Sequence, residues 1–214
     1  MDKLQTMFVT INTIDWSRYT TSFGSATDIP ELLWKMVLGS PSVQYRAWYD
    51  LLHAVCHLGT VTDVSLIVVP FLVEMLEGHN VYQKERVADL LAMLSSGHAF
   101  AERVSEDVYA PIREQWPHFS SEQREHYLER RIQQAIEPHL PLLYPYLRKS
   151  FECRVSLAVA FTRYPRYAMQ SIDALNRAMI HEDDETTRMI MNLAVIYLSS
   201  GTINEEYQHY LYLR

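Results

Sequence analysis

The segments Pro30-Glu-Leu-Leu-Trp-Lys-Met36 and Pro70-Phe-Leu-Val-Glu-Met-Leu76 align without a gap at a spacing of 40 residues, and Arg46-Ala47 and Arg86-Val87 keep the same spacing. In each copy an apolar helical stretch is followed by a polar break and then by a second stretch that opens near the arginine. Self-similarity at a fixed period is the mark of a repeat protein. The two segments therefore predict an all-α fold built from pairs of short helices.

The repeat alignment places three residues at the opening of a helical stretch, each sixteen residues before an arginine: Pro30, Pro70 and Ile172. The matching arginines lie near the start of the second stretch and are Arg46, Arg86 and Arg188. We interpret these arginines as structural, with each guanidinium tying neighbouring repeats to carbonyls or carboxylates, and Asp50 and Asp89 are candidate partners. A ladder of arginines that binds a ligand is the alternative interpretation.

Hydrophobic spacing and capping residues locate the helices along the chain. They are predicted at Ile29–Leu38, Pro41–His57, Asp63–Glu77, Val81–Leu94, Ala99–Gln115, Ser120–Ile136, Pro165–Ile180 and Thr186–Leu198. The third helix is apolar nearly all round, and Pro70 lies inside it and should bend it. Ser120 and Gln123 form a predicted capping box, whereas Met7–Ile14 is predicted to be extended.

A single domain is predicted for residues 1–214, an α-solenoid of HEAT-like helix pairs, because stacked repeats bury a continuous core only against their neighbours. Residues 1–28 are interpreted as an N-terminal cap and residues 200–214 as a C-terminal cap. Residues 98–137 break the repeat and are interpreted as a helical insertion. The concave side of such a stack would be lined by the second helices of the pairs, at residues 41–57, 81–95, 150–163 and 186–199.

The balance of acidic and basic residues indicates which kind of partner the protein binds. The chain has 26 acidic and 19 basic residues and a formal net charge of -7. A nucleic-acid-binding protein normally has the opposite balance, because its affinity comes largely from neutralising phosphates. We therefore expect no nucleic-acid partner, whereas a basic protein would be steered toward this surface.

The cysteines and the apolar runs indicate the cellular compartment of the protein. Cys56 and Cys153 are the two cysteines and form no disulfide framework, which favours a reducing compartment. The longest apolar run, Val64–Leu76, is too short to span a bilayer, which needs roughly 20 residues. The sequence predicts a cytoplasmic protein that does not enter the membrane.

Four segments within residues 14–97 resemble a family of small bacterial HEAT-repeat proteins. They are Ile14-Asp-Trp-Ser, Phe23-Gly-Ser-Ala-Thr-Asp-Ile-Pro30, His57-Leu-Gly-Thr and Val69-Pro-Phe-Leu-Val-Glu-Met-Leu. The family tends to read I-D-W, G-x-A-x-D-V-P-x-L-L, H-Q-G-T and V-P-F-L-L-x-L-L, so that Leu58 stands where a polar residue is common. The resemblance implies an α-solenoid without a shared catalytic activity. It also implies a possible role by analogy, since such proteins occur among the immunity partners of bacterial toxins.

His53, Cys56 and His57 are the closest approach to a chemical site in the sequence. Positions 53 and 57 share a helix face and could hold zinc, but zinc needs further ligands, and we interpret the pair as a packing or solvent-facing feature. A nucleophilic Cys56 would need a lowered thiol pKa. A glycine-rich phosphate loop and a G-x-S-x-G elbow are both missing from the sequence. We predict no catalytic residue, no metal and no cofactor, and therefore no enzyme.

The aromatic residues near the start of the chain suggest an interface instead. Ala47 and Leu51 are predicted to face inward on the second helix, which leaves Trp48 and Tyr45 on a different face, where such residues anchor protein partners. Three carboxylates would complement a basic partner: Asp50, Glu85 and Asp89. The function predicted is a non-enzymatic scaffold that binds a protein, and specifically an immunity protein that neutralises a basic bacterial toxin domain. The alternatives are a glycosylase-like nucleic-acid-binding HEAT protein and a lyase-like HEAT protein that handles a cofactor.

Overall fold

The structure is a computed structural model that describes residues 9–78, 81, 83–100, 120–149 and 151–211. Most of these residues are helical, which confirms the all-α class. After a helical segment over residues 9–13, the α-helices that are labelled here are α1 (Ile29–Leu38), α2 (Pro41–Val55), α3 (Asp63–Glu77), α4 (Lys84–Ser96), α5 (Ser121–Ile136), α6 (Leu140–Leu143), α7 (Phe151–Phe161), α8 (Ala168–Met179) and α9 (Glu185–Ser200). Short 3-10 helices cover Trp16–Arg18, Glu137–His139, Tyr144–Arg148, Pro165–Tyr167 and Glu205–Leu211.

Two-residue strands lie before, between and after the first four helices. The pair β1 (Thr20–Thr21) and β2 (Gly24–Ser25) is antiparallel. A second sheet has the order β3 (Cys56–His57), β4 (Thr60–Val61) and β5 (His98–Ala99), in which β3 and β4 are antiparallel and β4 and β5 are parallel. This sheet connects the segment that follows α2 to the segment that follows α4.

Local capping signals predicted several helix boundaries correctly. The bounds of α1 and α3 are those expected from the sequence, and the Ser120–Gln123 capping box is present, with hydrogen bonds of 2.9 and 3.2 Å. The predicted extension of α2 to His57 is wrong, because Cys56 and His57 pair with β4 instead. The prediction of an extended Met7–Ile14 is also wrong for residues 9–13, which are helical. The helix predicted at Ala99–Gln115 lies outside the described residues from position 101 onward.

The repeat alignment placed two of its three helix openings incorrectly. Pro30 does lie in the first turn of α1, where its missing N–H needs no partner. Pro70 lies in the middle of α3, which is continuous from Asp63 to Glu77, and Ile172 lies inside α8. In both cases the helix begins earlier because residues upstream of the aligned position extend the helical turn.

The chain divides into two compact units, Met1–Ile136 and Glu137–Arg214. In the first, α1 packs on α2, α3 packs on α4 and α5, and α4 also packs on α2 and α5. The core of this unit consists of fully buried aliphatic side chains that include Leu33, Leu51, Leu72, Leu90, Leu91 and Ile132. The assignment of residues 1–214 to a single repeat domain stays a prediction.

In the second unit, α9 packs on both α7 and α8. Its buried core includes Leu140, Leu157, Phe161, Leu175 and Met191. Tyr144 packs its ring edge-on to Phe161, at 5.1 Å between ring centroids. Across the described residues of both units, no helix combines the length and the apolar character that crossing a bilayer requires.

Candidate functional site

Four aromatic side chains form a continuous row in the first unit. The centroid distances are 4.9 Å from Phe23 to His57, 5.4 Å from His57 to His53, and 4.4 Å from His53 to Tyr49. Phe23 is 68% exposed and Tyr49 is 42% exposed, while both histidines are half-buried. We call these four residues the aromatic row. It offers polarisable rings and imidazole nitrogens to solvent on one side of the unit.

The positions of these residues follow from the local sequence. Residues four apart share a helix face, so that Tyr49 and His53 lie above one another on α2. The opposite face of α2 is buried through Ala47, Leu51 and Val55. This division leaves the row on the side of α2 that does not enter the core.

His57 belongs to the row because a hairpin fixes its backbone. The two turn residues between β3 and β4, Leu58 and Gly59, have φ values of 50° and 78°. Two consecutive positive φ values are typical of the type I′ turn, whose twist matches that of paired strands. His57 is therefore held opposite Thr60, and its ring is brought next to that of His53.

The two histidines of the row contact each other through the same kind of ring nitrogen. The Nδ1 atoms of His53 and His57 are 3.2 Å apart. Since one nitrogen must donate the proton and the other must accept it, the contact requires a neutral acceptor ring. Tyr49 meets the ring of His53 edge-on from one end, and Phe23 meets the ring of His57 edge-on from the other.

Trp48 does not lie on an exposed face, and the prediction of its exposure is wrong. Its side chain is only 8% exposed, and its indole N–H donates to the Arg86 carbonyl at 2.9 Å. The guanidinium carbon of Arg86 lies 4.6 Å from the ring centroids of both Trp48 and Tyr45. The chain of α4 thus covers Trp48, a contact that the helical periodicity of α2 alone could not reveal.

Tyr45 remains exposed, as predicted, and borders a shallow pocket. Its ring lies 6.0 Å from that of Trp48, and Arg86 Nε donates to Gln83 Oε1 at 2.7 Å beside them. The pocket is lined by Met36, Gln44, Tyr45, Trp48, Val81, Gln83, Arg86 and Val87. Because the Arg86 guanidinium of α4 packs over both aromatic rings of α2, the cluster is a structural link from α2 to α4.

The three predicted carboxylates are divided between two helices. Asp50 lies on α2 and pairs with Arg46 at 3.0 Å within the same helix, so that this pair does not tie neighbouring repeats as predicted. Glu85 and Asp89 lie on α4, and both are half-buried with interactions inside the chain. Whether any of the three contacts a partner stays a prediction.

The arginines of the second unit do join different elements. Arg154 Nη1 donates to Glu182 Oε2 at 2.6 Å, and Arg188 donates to the Glu182 carbonyl. Asp184 begins α9 by accepting from the Thr187 N–H at 2.7 Å. The role of Glu182 as a partner of two arginines was not predicted from the sequence.

Cys56 is unsuited to nucleophilic chemistry. Burial raises the pKa of the Cys56 thiol to about 12, and the Asp89 carboxylate adds to that rise, while a hydrogen bond with the backbone of Gly59 opposes it. The thiolate is the reactive species, and at neutral pH it is almost absent from such a group. Within the described part of the chain, no group of three or more His, Cys, Asp or Glu side chains is arranged to hold a metal ion.

Tyr49 and Phe23 were not predicted to contact a partner. The repeated spacing of four from Tyr45 through Tyr49, His53 and His57 was the signal that could have indicated the row.

Comparison with models of protein families, with curated proteins and with solved structures found no match.

Proposed function

We propose that this protein is a non-enzymatic scaffold of HEAT-like helix pairs that binds another protein through the aromatic row and Tyr45. The single observation that carries the proposal is the row itself, in which Phe23 and Tyr49 expose much of their surface while the histidines continue the contact between them. Aromatic side chains are enriched at protein interfaces, because a rigid ring buries a large area at a low cost in conformational entropy.

The helix packing is compatible with stacked pairs. In the first unit α1 pairs with α2 and α3 pairs with α4, and the second helices of these pairs, α2 and α4, contact each other. Contact between successive second helices is the arrangement by which repeat proteins build a binding surface. Within the row, Tyr49 and His53 lie on α2, His57 lies on the strand that follows α2, and Phe23 lies in the turn between β1 and β2.

The partner that we propose is a basic domain of a bacterial toxin, which this chain neutralises as an immunity protein in the cytoplasm. The net charge of -7 supports a basic partner, since an acidic surface accelerates encounter with positive charge. The Asp50 carboxylate lies on α2 beside the row, but Arg46 already pairs with it, so that the charge argument comes from the chain as a whole and not from the row. The toxin itself is an inference by resemblance to HEAT-repeat immunity proteins.

The proposal is tested by capture from cells of the source organism, with the intact chain as bait at several salt concentrations. We expect one basic protein to be recovered, to be toxic when expressed alone, and to lose its toxicity when the chain is co-expressed. Recovery of no protein at any salt concentration, or rescue that fails, contradicts the proposal. A mobility-shift assay at low salt is the second arm, and binding of nucleic acid with a steep salt dependence would replace the proposal with the nucleic-acid alternative.

The contact surface is tested separately by two tyrosines of similar exposure. Tyr49→Ala removes a ring from the row, and Tyr207→Ala removes a ring outside it. We expect Tyr49→Ala to weaken binding of the captured protein by about 2 kcal/mol, as interface anchors do, and Tyr207→Ala to leave it unchanged. Equal effects of the two variants would place the interface elsewhere.

A further inference from the structure

We propose that His53 and His57 form a two-histidine site for a transition-metal cation, with Zn²⁺ as the cation of first choice. The observation behind it is the separation of 3.2 Å between the two Nδ1 atoms. Two nitrogens bound tetrahedrally to zinc at 2.0–2.1 Å lie about 3.3–3.4 Å apart. The nitrogens are thus already at nearly the chelating distance, and the metal takes the place of the shared proton once the donor ring carries its proton on Nε2 instead of Nδ1.

The two rings are positioned before any metal binds. The backbone of His53 is fixed by α2, and that of His57 by the hairpin between β3 and β4. The edge contacts of Tyr49 with His53 and of Phe23 with His57 limit the rotation of each ring. A metal site gains affinity when its ligands are held near the bound geometry, because little ordering remains to be done on binding.

The ligand type selects the class of cation. Imidazole suits zinc, copper and nickel, whereas magnesium and calcium prefer oxygen ligands. The described residues supply no third protein ligand to this pair, so that water completes the coordination of the bound ion. Such a site binds metal reversibly and more weakly than a closed four-ligand site, and it leaves coordination positions open.

This inference does not rest on the proposed function, because the probe is the metal alone. The experiment is isothermal titration of the untagged full-length chain with Zn²⁺, and with Mg²⁺ and Ca²⁺ as hard cations. We expect one saturable zinc site per chain and no binding of the hard cations. Binding should weaken as the buffer is acidified, because protons compete for the same nitrogens.

The chain offers a matched control for the two histidines. His181 and His209 are exposed and lie in the second unit, so that the double variant His181→Ala/His209→Ala removes the same number of imidazoles from elsewhere. We expect His53→Ala and His57→Ala each to weaken zinc binding by at least about tenfold. Mutation of a residue that only hydrogen-bonds to a metal ligand already costs about that much, and removal of the ligand itself should cost no less. The control variant should bind as the wild type does.

Two results would overturn the site: no saturable zinc binding by the wild-type chain, or equal zinc binding by a chain with both histidines replaced. Circular dichroism checks that each variant is folded. Should either alanine variant unfold, His53→Gln and His57→Gln keep a polar side chain without an imidazole ligand, and retention of zinc by both of them would equally contradict the proposal.

Discussion

The Arg154 guanidinium and the Glu182 carboxylate form an ion pair at 2.6 Å in which Glu182 is only 3% exposed. The same guanidinium also donates through Nε to the Leu147 carbonyl at 3.0 Å, and Arg188 donates to the Glu182 carbonyl. Glu182 precedes α9, Arg154 lies on α7, and Leu147 lies in the 3-10 helix before α7. The Arg154 guanidinium on α7 therefore connects the 3-10 helix before α7 with the segment before α9, and loss of its pair with Glu182 should lower the stability of the second unit.

Replacing either member of this pair should destabilise the protein. We expect Glu182→Gln and Arg154→Met each to lower the free energy of unfolding by about 1.5–3 kcal/mol, the range for hydrogen bonds to charged groups. The double variant should lose less than the sum, because the second substitution removes a charge that the first has left unpaired. Chemical denaturation of the four proteins measures the coupling, and purely additive losses would mean that the two side chains act independently.

The same pair should make stability depend on acid. Burial by itself raises the pKa of Glu182, but the Asp184 N–H and then the Arg154 guanidinium outweigh it, so that the net pKa lies below its ordinary value of 4.5. A lowered folded-state pKa means that the unfolded chain binds the proton more readily. The stabilising contribution of Glu182 is then fully present above pH 4.5 and is lost as the pH falls through the folded-state pKa.

The measurement is the difference in unfolding free energy between wild type and Glu182→Gln from neutral pH down to acid. We expect the difference to be constant above the ordinary pKa and to shrink below it. The Asp184 carboxyl, whose pKa is lowered mainly by the Thr187 N–H, titrates in the same direction, and Asp184→Asn is the control that separates its share. If the difference in unfolding free energy between wild type and Glu182→Gln grew on acidification, the predicted direction of the pH dependence would be wrong.

Asp63 should matter more to stability than Asp50, although both are aspartates of the first unit. Asp63 is fully buried and accepts from the Thr20 N–H at 2.9 Å and the Val64 N–H at 2.7 Å, whereas Asp50 pairs at the surface with Arg46. We expect Asp63→Ala to cost about 1.5–3 kcal/mol because it leaves buried donors without their acceptor. Asp50→Ala should cost less than about 1 kcal/mol. Thermal unfolding compares the two variants, and equal losses would contradict the assignment.

Where the sequence predicted the structure correctly, the signal was local. Pro30 near the start and Gly39 after the end bound α1, and Ser120 with Gln123 caps α5 through contacts three residues apart. Where it failed, the deciding contact came from a distant segment. The end of α2 is such a case, because Cys56 leaves the helix to pair with Val61, which is in turn paired with Ala99 of β5.

Distant contacts also decided the parts of the candidate site that the sequence did not predict. His53 and His57 were expected to share a helix face, but α2 ends at Val55, and the hairpin between β3 and β4 brings the two rings together instead. The cover over Trp48 comes from Arg86, which is 38 residues away in sequence, and no periodicity within α2 contains that information. Phe23 could not be placed in the row from sequence either, since its contact with His57 depends on where the β1–β2 turn lies relative to α2.

Leu58 should be replaceable with a gain in stability. It is 91% exposed and has a φ of 50°, a left-handed conformation that costs a leucine energy and gives it no packing in return. Asparagine followed by glycine is the preferred sequence for a type I′ turn. We therefore expect Leu58→Asn to raise the free energy of unfolding by about 0.5–1 kcal/mol.

The adjacent glycine provides the opposite test of the same turn. Gly59 has a φ of 78° and open space where a Cβ would lie, so that Gly59→Ala should destabilise the protein through backbone strain alone, by about 1 kcal/mol. Denaturant titration of both variants measures whether each substitution raises or lowers the free energy of unfolding. A loss of stability in Leu58→Asn would mean that the leucine makes a contact worth more than the strain it bears.

Cys56 should resist thiol reagents in the folded protein. It lies next to the row that carries both histidines, but its own side chain is buried, and burial raises its pKa to about 12. At pH 8 only about one thiol in ten thousand would be ionised, and the thiolate is the species that attacks. In a Cys153→Ala variant, where Cys56 is the remaining thiol, we expect labelling by a disulfide reagent to be slow and to become fast only in denaturant. Cys153→Ala/Cys56→Ser gives the background. Rapid labelling of one equivalent in native buffer would show that the thiol reaches solvent and ionises there, and the case against a nucleophile at this position would fail.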